Sequence, residues 1–305
     1  MTAPRISVVL PTMNRRVEIG PFLDTLLEQS QRPHELVVID AGADRVEDLL
    51  VERLAGSGVA LVYETSRPGT SVQRNRGIEL STGDLIFFLD DDVRLLPDYI
   101  EATLNAFATP ASPPVGAVMG TFANENFRDP TGAAVARLFR LTHHAEGDQS
   151  VIYPTGAIRW LQSPTKVVAI PAAATGRVAY RKEALATERF VEFLPGYTLA
   201  EDLDLSQRVA RHWTLLQTPY ARLHHKKSTA NRGGMGDRAA RVVYSHWYLF
   251  RQHQPQDPAH LAAFAWSNVG LAALQVGGAL RQGQLRPVLS GLIKGYRLCA
   301  KDLRP

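Results

Sequence analysis

The chain has 305 residues, 45% hydrophobic and 21% charged, which suits one large α/β domain with an appendage. Its single cysteine, Cys299, excludes an internal disulfide and a cysteine-based zinc site. The net charge of +4 hides a split, because residues 220–305 carry 13 Lys and Arg against three acidic residues and the rest carries 21 against 27. A basic end of this kind is expected to meet an anionic surface. No nucleic-acid-binding module is recognisable, so a membrane surface is the expected partner and nucleic acid is not.

Met1 leads directly into a strand-like run, Ile6–Leu10, so no signal peptide is expected and a reducing, cytoplasmic setting fits. Pro11-Thr12-Met13-Asn14 breaks that run, and Phe22, Leu23, Leu26 and Leu27 then form a helical stripe. Leu36–Ile39 is a second strand that stops at Asp40-Ala41-Gly42. Val46, Leu49, Leu50 and Leu54 mark a helix, Val59–Tyr63 a third strand, and Thr70–Leu80 a helix ended by Thr82-Gly83. This rhythm predicts a Rossmann-like α/β fold with a mostly parallel central sheet and helices on both faces. No Gly-x-Gly-x-x-Gly follows the first strand, which argues against a dinucleotide redox enzyme.

The next strand, Leu85–Leu89, is uninterrupted apolar sequence, as in a strand buried on both faces, and it ends in Asp90-Asp91-Asp92. The carboxyl ends of such strands line the ligand crevice of open α/β sheets. Two like charges 4 Å apart repel by about 4 kcal/mol at an effective dielectric of 20. A divalent cation that also bridges to phosphate would relieve that repulsion. The plain alternative is a solvated acidic turn ahead of Pro97. Further on, Val115–Gly120 and Val167–Ile170 read as strands and Ala133–His144 as helical. From Arg238 the chain reads as helices broken at Pro255, Pro258 and Pro287.

A second acidic site is Thr198-Leu199-Ala200-Glu201-Asp202-Leu203-Asp204, continuing to Arg208. Thr198 and Glu201 have the spacing of a capping box, and Asp204 and Arg208 that of a helix-face ion pair. Asp202 has no such structural duty and is the candidate general base. In Ala221-Arg222-Leu223-His224-His225, adjacent side chains of an extended segment point to opposite faces. The two histidines are therefore not expected to hold one metal together: one is a ligand and the other a surface residue, or both are ordinary.

Taken together, Val9-Leu10-Pro11-Thr12-Met13-Asn14-Arg15, Asp40, Arg74-Asn75-Arg76-Gly77, Leu89-Asp90-Asp91-Asp92 and Glu201-Asp202-x-x-Leu205-x-x-Arg208 resemble the family 2 glycosyltransferases over roughly residues 5–230. The resemblance implies a GT-A fold and inverting transfer from a nucleotide-sugar donor to a glycan or lipid-linked acceptor. It implies that Pro11, Thr12, Asn14 and Arg15 line the nucleotide pocket and that Asp40 hydrogen-bonds the base. Arg74, Asp90 and Asp91 would lie at the donor, and Asp92 and His224 would bind Mn²⁺ or Mg²⁺. Asp202 would deprotonate the acceptor. Two departures stand out. Asp40-Ala41-Gly42 replaces the commoner acidic-Gly-Ser turn, and Glu188-Arg189-Phe190 stands where Gly-Gly-Phe is usual.

A phosphatase of the haloacid-dehalogenase type also carries Asp-x-Asp after a strand. It wants Thr or Val where Arg94 stands. A non-catalytic nucleotide-binding protein would have no reason to keep both Asp92 and Asp202. The expected organisation is a catalytic domain over 1–230, with a nucleotide-binding half at 1–120 and an acceptor-side half at 121–230. A basic amphipathic helical region follows at 231–305. Within it, Leu261–Leu280 is 20 residues without a charge, flanked by His260 and Arg281. Preceded by an aromatic stretch at Val243–Phe250, it predicts peripheral attachment at the inner face of the cell membrane, with spanning, packing on the catalytic domain or burial in a homodimer as the other outcomes.

Overall fold

The computed structural model describes residues 3–125, 130–192, 200–226 and 234–302. The elements run β1 (Ile6–Thr12), α1 (Arg16–Leu27), β2 (Glu35–Asp40), α2 (Glu47–Leu54), β3 (Ala60–Thr65), α3 (Thr70–Leu80), β4 (Leu85–Leu89), β5 (Val93–Leu95), α4 (Tyr99–Phe107) and β6 (Val115–Phe122). Then come α5 (Pro130–Leu138), β7 (His143–Ala145), β8 (Val151–Ile152), β9 (Ile158–Leu161), β10 (Val168–Ala169), β11 (Arg177–Arg181), α6 (Glu201–Val209) and β12 (Thr214–His225). Three helices close the chain: α7 (Met235–His253), α8 (Pro258–Arg281) and α9 (Leu285–Asp302).

The main sheet has the order β10-β12-β6-β11-β4-β1-β2-β3, with β5 paired to β12. Strands β4, β1, β2 and β3 run parallel, and β4, β1 and β2 are apolar and buried on both faces, whereas β3 closes the edge half-exposed. One hydrophobic cluster (Leu10, Phe22, Phe87, Tyr99) covers one face of the sheet, and another (Val9, Phe88, Tyr180, Leu205) covers the opposite face. Gly77 of α3 has no room for a side chain, because a Cβ there would strike Val9. That close approach seats α3 on the sheet.

The sheet is not parallel throughout. Strand β11 runs antiparallel to both β4 and β6, with Arg177 opposite Leu89. An antiparallel strand starts where its neighbour ends, so Thr175 and Gly176, just ahead of β11, abut the carboxyl end of β4. Two sequence expectations need correction. The stretch Ala133–His144 is not one helix: α5 stops at Leu138, and His143–Ala145 pairs with β9 in a small three-stranded sheet. Pro287 does not break a helix. It lies in the first turn of α9, where its missing N–H costs nothing.

Helices α7–α9 share a small core of their own (Ala239, Val243, Ala279, Val288, Leu292). They are also tied to the sheet domain. The Asp204 carboxylate of α6 accepts from His253 (2.9 Å) and Tyr248 (3.4 Å) of α7, in addition to its bond from Arg208 (2.9 Å). What the sequence offers as a plain helix-face ion pair is thus an anchor between two regions. Among the described residues, α8 alone is long and apolar enough to cross a membrane, with a mean hydropathy of 1.2. Trp266 donates to the Leu138 carbonyl (3.1 Å) and stacks on Phe139, while Leu261, Val269 and Leu280 of α8 and Leu289 and Ile293 of α9 face outward.

Candidate active site

At the end of β4 the three carboxylates take different environments. The Asp91 side chain is 3% exposed and accepts from Arg15 (2.7 Å) and from the Thr12 hydroxyl (2.8 Å). Burial pushes its pKa up to about 6 against the pull of Arg15. Asp92 is also buried, with Arg15 at 3.5 Å and the His225 imidazole at 3.4 Å. Asp90 is the open one, its side chain 36% exposed, with Arg74 at 3.3 Å. The repulsion within this cluster is therefore answered by side chains of the chain itself: Arg15, Arg74 and His225. Asp91 with Arg15 and Thr12 serves to fix the loop, and Asp90 is the carboxylate open to a ligand.

The second acidic site faces the first. Arg74 is buried on α3 and bridges the two, with Glu201 at 2.9 Å and Asp90 at 3.3 Å. Because Glu201 opens α6, this ion pair fixes the start of that helix against the end of β4. Thr198, the proposed cap, lies outside the described residues, and Glu201 is committed to Arg74. The neighbouring Asp202 is half-buried and accepts from the backbone amides of Leu203 (2.8 Å) and Thr175 (3.2 Å). Burial first, then the charge of Glu201, push its pKa up to about 7, while Arg74 and the two amides pull the other way. A carboxylate poised near neutrality suits a proton acceptor. Gly176, at φ +81°, lets the backbone pass beside the acidic loop. A Cβ there would lie 2.5 Å from the Asp90 carboxylate, so no side chain fits.

The histidine assignment changes. It is His225, not His224, whose ring stands against Asp92, and its other nitrogen meets Glu125 (2.7 Å). Alternation along β12 turns His224 to the other side, where it pairs in register with Arg94. Burial opposes a charge on His225, yet the two carboxylates raise its pKa to about 9. Among the described residues no group of three His, Cys, Asp or Glu side chains stands in metal-ligand geometry.

The loops after β1 and β2 also differ in detail from expectation. Asp40 is fully buried and does not present a free carboxylate to a base. One oxygen accepts from the Gly42 amide (2.8 Å), and the other accepts from the Tyr63 hydroxyl (2.8 Å) and the Val46 amide (3.3 Å). It shapes the Asp40-Ala41-Gly42 turn. Asn14, at φ +54°, accepts from the Ala43 (2.7 Å) and Asp44 (3.1 Å) amides and so ties the loops after β1 and β2 together. Pro11 is buried within β1 and pairs with Ile39, and the Thr12 carbonyl accepts from Gln73 (2.9 Å). Ahead of α6, Asn75 clamps the Phe190 backbone by two 2.8 Å bonds, and Glu188 pairs with Arg208. The departure from Gly-Gly-Phe thus adds an ion pair and keeps the phenylalanine buried.

Sequence reasoning passed over Glu125, Thr175, Gly176 and Arg177. The Thr-Gly dipeptide offers a turn signal, and the others give none.

The fold is of the GT-A glycosyltransferase type. The structure superposes on a mannosyltransferase of Pyrobaculum calidifontis, solved in complex with GDP-Man and Mn²⁺, with a TM-score of 0.59 at 18% identity, covering 97% of this chain and 88% of that one. It also superposes on TarS of S. aureus (TM-score 0.56, 15% identity, 95% and 80% covered). Residues 7–180 match Glycosyl transferase family 2, and the chain belongs to that family. Curated relatives include the amylovoran biosynthesis glycosyltransferase AmsB of Erwinia amylovora, 34% identical over 103 residues, covering 32% of this chain and 34% of the relative. Another is a GalNAc(5)-diNAcBac-PP-undecaprenol beta-1,3-glucosyltransferase of Campylobacter jejuni, 27% identical over 96 residues, 30% and 31% covered. The matched stretch thus spans about a third of the length of these relatives.

Proposed function

We propose that the protein transfers a sugar, with inversion and with the help of a divalent metal, from a nucleotide-sugar donor to an acceptor hydroxyl in cell-envelope or polysaccharide synthesis. The observation that carries this reading is the Arg74 bridge, whose one guanidinium holds the open carboxylate Asp90 and the Glu201-Asp202 helix start beside each other. Asp202 takes the proton of the acceptor hydroxyl as it attacks the anomeric carbon from the face away from the leaving diphosphate. Asp90 orients the donor, and Arg15 and Thr12 keep the acidic loop in shape through Asp91. Asp92 and His225 offer a carboxylate oxygen and an imidazole nitrogen, donors that suit Mn²⁺ or Mg²⁺ when diphosphate oxygens fill the other positions. When bound, the ion neutralises charge on the departing nucleoside diphosphate. A relative named for an undecaprenol-linked acceptor supports a lipid-linked glycan as the acceptor class.

A thermal-shift screen of nucleotide sugars tests the donor reading. With manganese present, one nucleotide class should stabilise the protein by about 2.7 kcal/mol at 100 times its dissociation constant. No stabilisation by any of them, with or without manganese, would remove the reading.

Peripheral membrane attachment is the second part of the proposal. Its support is the outward apolar set Leu261, Val269, Leu280, Leu289 and Ile293 on helices of a strongly basic region. Burying large side chains in an interface contributes roughly 1.5–3 kcal/mol each. Val269→Glu with Ile293→Glu should therefore lower cosedimentation with anionic vesicles by more than about tenfold, and added salt should weaken the wild type. Equal binding to neutral and anionic vesicles would discard the electrostatic contribution. If the wild type stays in the supernatant and light scattering reports a dimer that the double variant breaks, the face belongs to a second copy.

A further inference from the structure

Arg177 is the first residue of β11, next to Gly176 against Asp90 and two residues from Thr175, whose amide holds Asp202. It is 4% exposed. Its guanidinium lies 4.3 Å over the Phe122 ring, and Phe122 in turn stacks on His225 at 5.1 Å. Its Nε is buried with no hydrogen-bond partner, and among the described residues no ion pair or hydrogen bond holds the guanidinium. The other arginines of the crevice are matched: Arg15 to Asp91, and Arg74 to Glu201 and Asp90. Burial pushes Arg177 down to about 10, which leaves it charged at neutral pH, and the charges of Glu125 and Asp202 act on it without reaching contact.

A buried cation without a counter-ion is strongly disfavoured, and removing it in favour of an apolar side chain of similar volume is often neutral or stabilising. In the unliganded fold the close partner of the Arg177 guanidinium is the Phe122 ring, with no carboxylate in contact. The position is informative: one neighbour in sequence leads to the proton-accepting Asp202, and its ring partner leads through His225 to Asp92. On the nucleotide-sugar reading, the bond between sugar and phosphate would break between those two stations. A planar guanidinium suits bidentate binding of phosphate oxygens.

We propose that Arg177 is an anion receptor beside the two acidic stations that binds the terminal phosphate of the donor's nucleoside diphosphate and stabilises its charge as it leaves. The inference rests on the nucleotide-sugar reading above. It assigns a positioning and charge-stabilising role to a residue that no motif singles out.

The test compares binding of GDP, UDP and dTDP with that of GMP, UMP and dTMP, by calorimetry with manganese, to the full chain and to Arg177→Met and Arg177→Lys. For whichever nucleotide binds, Arg177→Met should lose at least about tenfold in diphosphate affinity and less than about twofold in monophosphate affinity. Its unliganded melting temperature should be equal to or above that of the wild type, and Arg177→Lys should fall between. Equal losses for both nucleotides, unchanged diphosphate affinity, or a Met variant that is destabilised or fails to fold would each overturn the proposal, because each makes Arg177 structural or idle. Unchanged diphosphate binding with lost affinity for a nucleotide-linked uronic acid would instead assign the cation to a sugar carboxylate. A wild type that binds no diphosphate sinks the nucleotide-sugar reading itself, and that result is visible without any variant.

Discussion

Asp202→Asn is expected to lower kcat by roughly 10²-fold or more while leaving donor binding near the wild-type value, which corresponds to about 2.7 kcal/mol or more of lost transition-state stabilisation. The amide retains an oxygen for the Leu203 or Thr175 backbone but has no basic lone pair for the acceptor proton. The pH profile supplies an independent check. A base must be ionised to act, and with burial and Glu201 holding Asp202 up to about 7, kcat/KM should fall about tenfold per pH unit below that value and level off above it. The variant should lose this limb. Stability should move in a definite direction as well. A carboxyl whose folded pKa lies above its unfolded value favours folding in its protonated form, and that contribution is lost as pH rises through about 7. Asp202→Asn, permanently neutral, should therefore melt higher than the wild type at pH 8. Near-normal turnover would move the base elsewhere. Glu201 is then next, held by Arg74. Asp204 is a poor substitute, because Arg208, His253 and Tyr248 occupy its oxygens.

The second large effect is expected at Asp92. Asp92→Ala should abolish the strengthening of nucleotide binding by manganese and lower kcat/KM by roughly 10²-fold or more, since a Lewis acid on the leaving diphosphate supplies several kcal/mol. Titration of the nucleotide with and without manganese measures this directly. The fold should survive, because Arg15 keeps its 2.7 Å bond to Asp91 and His225 keeps Glu125. His225→Ala should produce the same loss in weaker form, whereas His224→Ala should leave manganese dependence intact. A variant lacking Asp92 whose nucleotide affinity still rises with manganese would refute the metal assignment. So would equal effects at the two histidines.

The first four parallel strands and the two acidic stations are legible in the sequence alone. The apolar runs of β1, β2 and β4 and the stripes of α1 and α2 are periodic patterns within a few residues of chain, so they are legible without partners. Three adjacent carboxylates at a strand end are conspicuous for the same local reason. The rest depends on pairings far apart in the chain. Alternation along β12 says that His224 and His225 face opposite ways, but only the pairing of β12 with β5 and β6 brings His225 to Asp92 and Glu125. The family resemblance makes Asp40 a pocket residue, yet Tyr63 from the neighbouring strand and the amides of its own turn consume it. The stretch 133–144 reads as helical because the pull of β9 on residues 143–145 has no signature in the local sequence. Arg177 gave no signal for the same physical reason. A cation's significance lies in the charges it does or does not meet, and the reversal of β11 against β4 decides which those are.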